Sequence, residues 1–380
     1  MRPSMILSIS FSIRLGFVFL AVLIGLSAGA GPNYAADEKA SGDQSRLKIA
    51  VFPVFNLSAT PAPLKYIRQQ MIDILKAEGE ILIDDQRLED AFTKHRIRYI
   101  GGLDPSAALA IEQETGADAV FITSLEHYSD VVPPKIALTA RLVTTGHRIR
   151  ILWMAGAGLA GDDSPGLLDL GMIENPDTLM RIAIQRIMTS FAEFRSTGRA
   201  PVDAAAPQGK HRPKVIFRSP VMDPAISYAV AVMPFFNLSE RKFAGDIMAL
   251  HFVRQLLANE NWRVIEPGVV RQALLKGRVI MRDGISLADA GSISGLLAAD
   301  LILSGKVMDY QDFQGLAARP KVVFSAEIFE KNSREVVWTA QSHNRGDDGV
   351  FFFDWGRVNT AYVMASEMVQ LAVEEMIEAE

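Results

Sequence analysis

Two stretches of this chain repeat each other closely enough to constrain its organisation. The nine residues AVFPVFNLS that begin at Ala50 recur as AVMPFFNLS from Ala231, and seven of the nine are identical. Shorter matches follow in the same order, such as Gly161-Asp162-Asp163 with Gly346-Asp347-Asp348. Because solenoid repeats recur every ~20 to 50 residues, a repeat of this length predicts a duplicated domain.

The duplication sets the predicted domain boundaries. Residues 47–195 form the first predicted domain and residues 225–380 the second. The interval 196–224 between them is rich in proline, alanine and glycine, which predicts a linker. Residues 31–46 are small and polar, and we expect them to be flexible.

Each half shows the same order of predicted elements. A strand at 48–54, an amphipathic helix, a short strand and two further helices come first. Three closely spaced strands follow, in the first half at 119–125, 136–143 and 149–154, and a long helix ends each half. Short links make the three strands an antiparallel meander. The predicted fold class is therefore α/β, with two repeated domains, each a mixed sheet with a βαβ start and a three-strand meander, covered by helices.

The first 30 residues have the layout of a signal peptide. Arg2 and Arg14 precede an apolar run from Leu15 to Leu26, which small residues follow up to Ala30. We predict cleavage after Ala30 and export to the periplasm. The alternative is an uncleaved membrane anchor, although about a dozen apolar residues fall short of the ~20 that usually span a membrane.

Composition excludes several classes of function. The chain contains no cysteine, so it has neither disulfides nor thiol chemistry, and no cysteine is present to carry a lipid. Its formal net charge is −5 and becomes more negative when Arg2 and Arg14 leave with the signal peptide. An acidic chain is a poor match for a nucleic-acid partner.

One glycine motif resembles a dinucleotide site. Gly156, Gly158 and Gly161 spell GxGxxG after the strand predicted at 149–154. A dinucleotide site would also need a helix that begins at this turn and an acidic residue ~20 positions later. Turn-forming residues follow instead, at 162–165. We therefore predict no cofactor.

Catalytic and metal-binding patterns are also absent from the sequence. The six histidines are scattered without the spacing of metal ligands or of a catalytic triad; they are His95, His127, His147, His211, His251 and His343. Adjacent carboxylates at Asp162-Asp163 lack the alternating oxygen ligands of a calcium loop and favour a turn. Trp153 and Trp338 lie among apolar neighbours and are expected in the core. We predict no metal and no enzyme.

A run of aromatic residues is the candidate interaction surface. The segment before the last predicted helix contains Phe351, Phe352, Phe353 and Trp355. Four aromatic side chains in five positions cannot all face one way, and aromatic residues commonly dominate interfaces. The hypothesis is that Phe352 and Trp355 form part of a partner or self-association surface. The alternative is that this segment packs over the sheet edge or against the other domain.

Several motifs together resemble one known group of proteins. The first half contains AVFPVFNLS, a strand start at Gly116-Ala117-Asp118, and a strand pair that is joined by Thr144-Thr145-Gly146 and ends near Trp153. These features resemble the CsgG/LpoB group of bacterial envelope proteins. The amino-terminal domain of TolB has a related shape. The second half matches through AVMPFFNLS, AADLILSGKV from Ala298 and REVVWTA from Arg334.

The resemblance implies a function without catalysis. It implies a periplasmic binding or scaffold protein whose partners are envelope proteins of cell-wall or export machinery. The alternative is a ring-forming accessory component of an outer-membrane secretion system, hence a homo-oligomer with peripheral outer-membrane association. Two departures disfavour a channel. Ala30 stands where a lipidated cysteine would, and no long alternating insert supplies membrane-crossing strands of ~9 to 11 residues.

Overall fold

The computed structural model describes most of the chain. The described ranges are 47–164, 171–199, 209–223, 226–279, 284–315, 319–350 and 356–377. The predicted signal peptide, the segment 31–46 and the aromatic run at 351–355 lie outside them. In the described ranges, no helix is long and apolar enough to cross a membrane.

In the described residues, the first half consists of a mixed sheet with four helices. Its strands are β1 (Lys48–Val51), β2 (Phe55–Asn56), β3 (Ile81–Leu82), β4 (Ala119–Ser129), β5 (Lys135–Thr144) and β6 (Ile151–Ala160). Its helices are α1 (Leu64–Ala77), α2 (Asp85–His95), α3 (Pro105–Thr115) and α4 (Pro176–Thr197). The strand order is β3-β1-β4-β5-β6, and β2 also pairs with β4. Strand β1 is parallel to both neighbours, whereas β4, β5 and β6 form an antiparallel meander.

The second half has the same strand order with one strand added. Its strands are β7 (Lys214–Arg218), β8 (Tyr228–Val232), β9 (Phe236–Asn237), β10 (Trp262–Val264), β11 (Leu301–Gln311), β12 (Lys321–Glu330) and β13 (Glu335–Arg345). Its helices are α5 (Ala244–Leu257), α6 (Pro267–Lys276), α7 (Leu287–Leu297) and α8 (Ala361–Ile377). The order is β10-β8-β11-β12-β13-β7. The predicted α/β class, with two mixed sheets covered by helices, is confirmed.

Helices cover both faces of each sheet. In the first half, α1 and α4 pack on one face, where Trp153 stacks on Phe121 and meets Phe191 edge to face. Helices α2 and α3 cover part of the other face. In the second half the corresponding pairs are α5 with α8, and α6 with α7. Trp153 and Trp338 are 1% and 0% exposed, so the prediction that both lie in the core is confirmed.

Short polar motifs fix the ends of the elements. The Asp104 side chain accepts hydrogen bonds from the first-turn amides of α3, with Pro105 in its first turn, as its sequence predicts. After β2, Asn56 Oδ1 accepts the backbone N–H of Ser58, and Asn237 accepts that of Ser239 in the same way after β9. Both Asn-Leu-Ser motifs therefore form turns in which the asparagine side chain bonds its own backbone.

Two segments differ from the sequence-based expectation. Strand β6 continues to Ala160, so Gly156 and Gly158 lie inside a strand rather than after one. The interval predicted as a linker overlaps the end of α4 and contains β7, which pairs antiparallel with β13. Both halves belong to one compact unit, Ser45–Glu380. The boundaries of independently folding domains stay a prediction.

Candidate functional site

The second half packs directly onto the sheet of the first. Met154 of β6 belongs to the same hydrophobic core as the helices α5 and α8. The ring of Tyr362, on α8, lies so close to Gly156 and Gly158 that a Cβ at either glycine would overlap it. Helix α8 therefore approaches the sheet where glycine leaves room. This close approach explains why a strand contains the glycines that resemble a dinucleotide motif.

We call the contact region between the two halves the seam. A buried ion pair joins the halves there. Arg141 on β5 and Glu266, which caps α6, have fully buried side chains, and their closest N–O distance is 3.0 Å. The pair is bidentate, because Arg141 Nε also donates to Glu266 Oε2 over 3.1 Å. Backbone groups of the first half add two hydrogen bonds: Leu103 N–H donates to Glu266, and Arg141 donates to Gly101 O. We expect such a pair to fix how the two halves pack against each other.

A second buried carboxylate, Glu126 on β4, faces the helices of the other half. Its Oε1 accepts a hydrogen bond from the Thr139 hydroxyl, and its Oε2 lies 3.9 Å from His251 Nε2 on α5. Burial raises the pKa of Glu126 to about 7, although Arg254, Arg241 and Arg141 oppose the shift. Burial, helped by Arg254 and Arg241, holds the pKa of His251 well below its usual value. The charge of the group formed by Glu126 and His251 therefore depends on pH.

Glu126→Gln should change how stability depends on pH. In the unfolded chain a glutamate titrates near ~4.3, whereas burial raises the pKa of Glu126 to about 7 in the folded protein. Between these values the folded state holds a proton that the unfolded state has lost, so this group destabilises the protein as pH rises through that window. Denaturant unfolding should show the variant gaining stability relative to the wild type as pH rises from about 4 to about 7. Glu89→Gln, at an exposed position on α2, is the matched control. An equal change in both variants would contradict the assignment.

A third polar group closes one end of the seam. Lys135 Nζ donates to the carbonyl oxygens of Phe313 and Asn359 at 2.9 and 2.7 Å. Arg357 Nη2 lies 2.9 Å from Asp162 Oδ2. The neighbouring Asp163 accepts the Ala160 N–H, so these carboxylates form a turn, as predicted, and also contact the second half.

A large cleft opens beside the seam. It has a volume of about 1090 Å³, slightly above the ~300 to 1,000 Å³ typical of small-molecule sites. Its floor is the outer edge of β6, at residues 154–158, one wall is α4, and the other is α8 with the end of α5. Carboxylates outnumber guanidinium groups on its walls: Glu193, Glu260, Glu367 and Glu374 face Arg186 and Arg254. The cleft thus joins an apolar floor to an acidic rim.

The predicted interaction surface is not part of this site. Phe351, Phe352, Phe353 and Trp355 lie outside the described residues, so their role stays a prediction. Within the described ranges, no group of three or more histidine, aspartate or glutamate side chains is arranged to hold a metal ion. Sequence reasoning missed the seam and the cleft. One signal was present: Arg141 is the one charged residue within the strand predicted at 136–143.

Comparison with known proteins gives structural likeness only. No protein-family model and no curated protein matches the chain. Several solved structures are similar over part of it, and they include the following three. The PelC dodecamer from Paraburkholderia phytofirmans is 16% identical, with 44% of this chain and 99% of that chain covered and a TM-score of 0.30. Lipoprotein GNA1162 from Neisseria meningitidis is 20% identical, with 38% and 98% covered and a TM-score of 0.28. The LpoB C-terminal domain from Salmonella enterica is 12% identical, with 33% and 87% covered and a TM-score of 0.26.

Proposed function

We propose that the chain is an exported, non-catalytic protein that binds other proteins of the bacterial envelope, in cell-wall or export machinery. The observation that carries the proposal is the cleft between α4 and α8. Its size, its apolar floor and its charged rim suit a protein segment. The resemblance of the sequence to envelope proteins supports the location of the partner.

The chemistry of the cleft favours binding over catalysis. The described residues that line it include no histidine, aspartate or lysine. Ser190 is one of the hydroxyl groups there, and its Oγ accepts a hydrogen bond from Trp153 Nε1 at 3.3 Å. A serine nucleophile needs an adjacent general base, and none of the lining groups supplies a histidine for that role.

The seam weighs against the alternative of a ring built by repeating the same contact. In a ring, the sheet of the second half would meet the first half of the next copy. Glu327 on β12 holds the position that Arg141 holds on β5, and Asp84 caps α2 as Glu266 caps α6. The repeated contact would oppose two carboxylates where the seam has an ion pair. We expect a monomer by light scattering.

Position-specific crosslinking in intact cells tests the proposal. A photoreactive residue at Thr189, exposed on the α4 wall of the cleft, should form discrete adducts with envelope proteins after illumination. The same residue at Glu89, exposed on α2, is the control and should not form those adducts. Identical adduct patterns from the two positions, or adducts from neither, would contradict binding through the cleft.

A further inference from the structure

The two sheets differ at one edge. In the second half, β7 pairs with the outer edge of β13, with Arg218 opposite Trp338 and Phe217 opposite Thr339. In the first half, β6 holds the matching place at the end of the meander, and no strand in the described ranges pairs with its outer edge. An open strand edge is a template for another strand.

The hydrogen bonds of β6 show which of its peptide groups face outward. Gly161 N–H donates to Pro134 O on the side of β5, whereas Ala160 N–H turns away from β5 and donates to Asp163. Peptide groups alternate in direction along an antiparallel strand. Those of Met154, Gly156 and Gly158 therefore point into the cleft.

A strand added at this edge would lie between two helices. One face of the first sheet is covered by α4, and Tyr362 of α8 packs on the opposite face of β6. Side chains of an added strand alternate between the two faces. One set would meet the half-buried Ile182 of α4, and the other would meet Val363 and Ile377 of α8. The cleft thus has the shape of a slot for one strand.

Charge indicates which kind of strand fits. The cleft carries four carboxylates against two guanidinium groups, as described above. Strand β7, which occupies the matching edge of the second sheet, has the sequence KVIFR, with basic residues at both ends and apolar residues between them. By contrast, residues 31–46 of this chain carry three acidic and two basic side chains and no β-branched residue. An acidic rim disfavours that segment as the occupant.

We propose that the outer edge of β6 binds an extended basic segment of a partner protein by β-strand addition, with the segment held between α4 and α8. This inference rests on the proposed function for the identity of the partner as an envelope protein, but the edge itself can be tested with a peptide. Backbone hydrogen bonds to β6 would supply affinity, and the acidic rim would select basic residues.

The probe is a labelled synthetic peptide with the sequence of residues 212–220, which contains β7. Fluorescence anisotropy should show saturable binding to the full chain. Two N-methylated peptides, blocked on alternate amides, should differ at least tenfold in affinity, because only one set of amides would bond to β6. With selective ¹⁵N-glycine labelling, the amides of Gly156 and Gly158 should exchange more slowly when the peptide is bound.

Charge reversal on the rim provides the protein variant. Glu193→Lys, Glu260→Lys and Glu374→Lys together should weaken peptide binding at least tenfold. The matched control reverses Glu89, Glu240 and Glu335, which are exposed outside the cleft, and should leave affinity within twofold. Absence of binding, equal affinity of the two methylated peptides, or unchanged exchange at Gly156 and Gly158 would overturn the inference. Peptide binding without cellular crosslinks from Thr189 would instead leave this inference standing and contradict the proposed function.

Discussion

Arg141→Ala should reduce the free energy of unfolding by about 3 to 5 kcal/mol, the cost of leaving a buried charge without its partner. The carboxylate of Glu266 would remain fully buried, and Leu103 N–H would be its remaining donor from the first half. Guanidinium denaturation monitored by circular dichroism measures the loss. Lys94→Ala provides the control, because the Lys94 side chain is 64% exposed and pairs with Glu114 at the surface. An exposed pair contributes about 0 to 1 kcal/mol.

A double variant separates the buried charge from the packing. In Arg141→Met with Glu266→Gln, no charge remains at these two positions, and the glutamine oxygen can still accept the Leu103 N–H. We expect this protein to be more stable than Arg141→Ala alone. A double variant as unstable as the sum of the single changes would show that the seam depends on shape rather than on the ion pair.

Trp153→Ala and Trp338→Ala should each reduce the free energy of unfolding by about 3 to 5 kcal/mol, the range for truncation of a large buried aromatic side chain. Trp153 packs between Phe121 and Phe191, so its removal would leave a cavity within an aromatic cluster. Denaturant melts give both values.

Phe217→Ala is the control for the tryptophan variants, because this aromatic side chain on β7 is 49% exposed. Phe217→Ala should reduce the free energy of unfolding much less than either tryptophan variant does. A cost below about 1 kcal/mol for Trp153→Ala would contradict its place in the core, since surface substitutions usually change stability by about 0.5 kcal/mol or less.

The sequence predicts the fold through local chemistry and periodicity. Asp104 with Pro105 marks the start of α3, and the spacing of apolar residues marks α1 and the closing helices, because caps and helix faces depend on near neighbours. The sequence-based prediction placed the end of β6 too early, because the extent of this strand depends on a residue far away in the sequence. Gly156 and Gly158 suggest the end of a strand, but they leave room for the ring of Tyr362, which is distant in the sequence.

The candidate site was harder to predict, since it is built from both halves. Arg141 and Glu266 are 125 positions apart, and neither has a sequence neighbour that identifies the other. Strand β7 lies in an interval whose proline and glycine content predicts a linker, and its pairing with β13 becomes visible only in the structure. The open edge of β6 is a difference between the halves in three dimensions, so the repeat alone could not show it.

A competition experiment at the cleft tests whether envelope proteins bind at the β6 edge. In isolated envelopes that contain the chain with a photoreactive residue at Thr189, the peptide of residues 212–220 should abolish the crosslinks to envelope proteins at concentrations that saturate its own binding. A charge-inverted peptide, with Lys214 and Arg218 replaced by glutamate, should leave them intact. Crosslinks that persist at full peptide occupancy would contradict the claim that envelope proteins bind at the β6 edge.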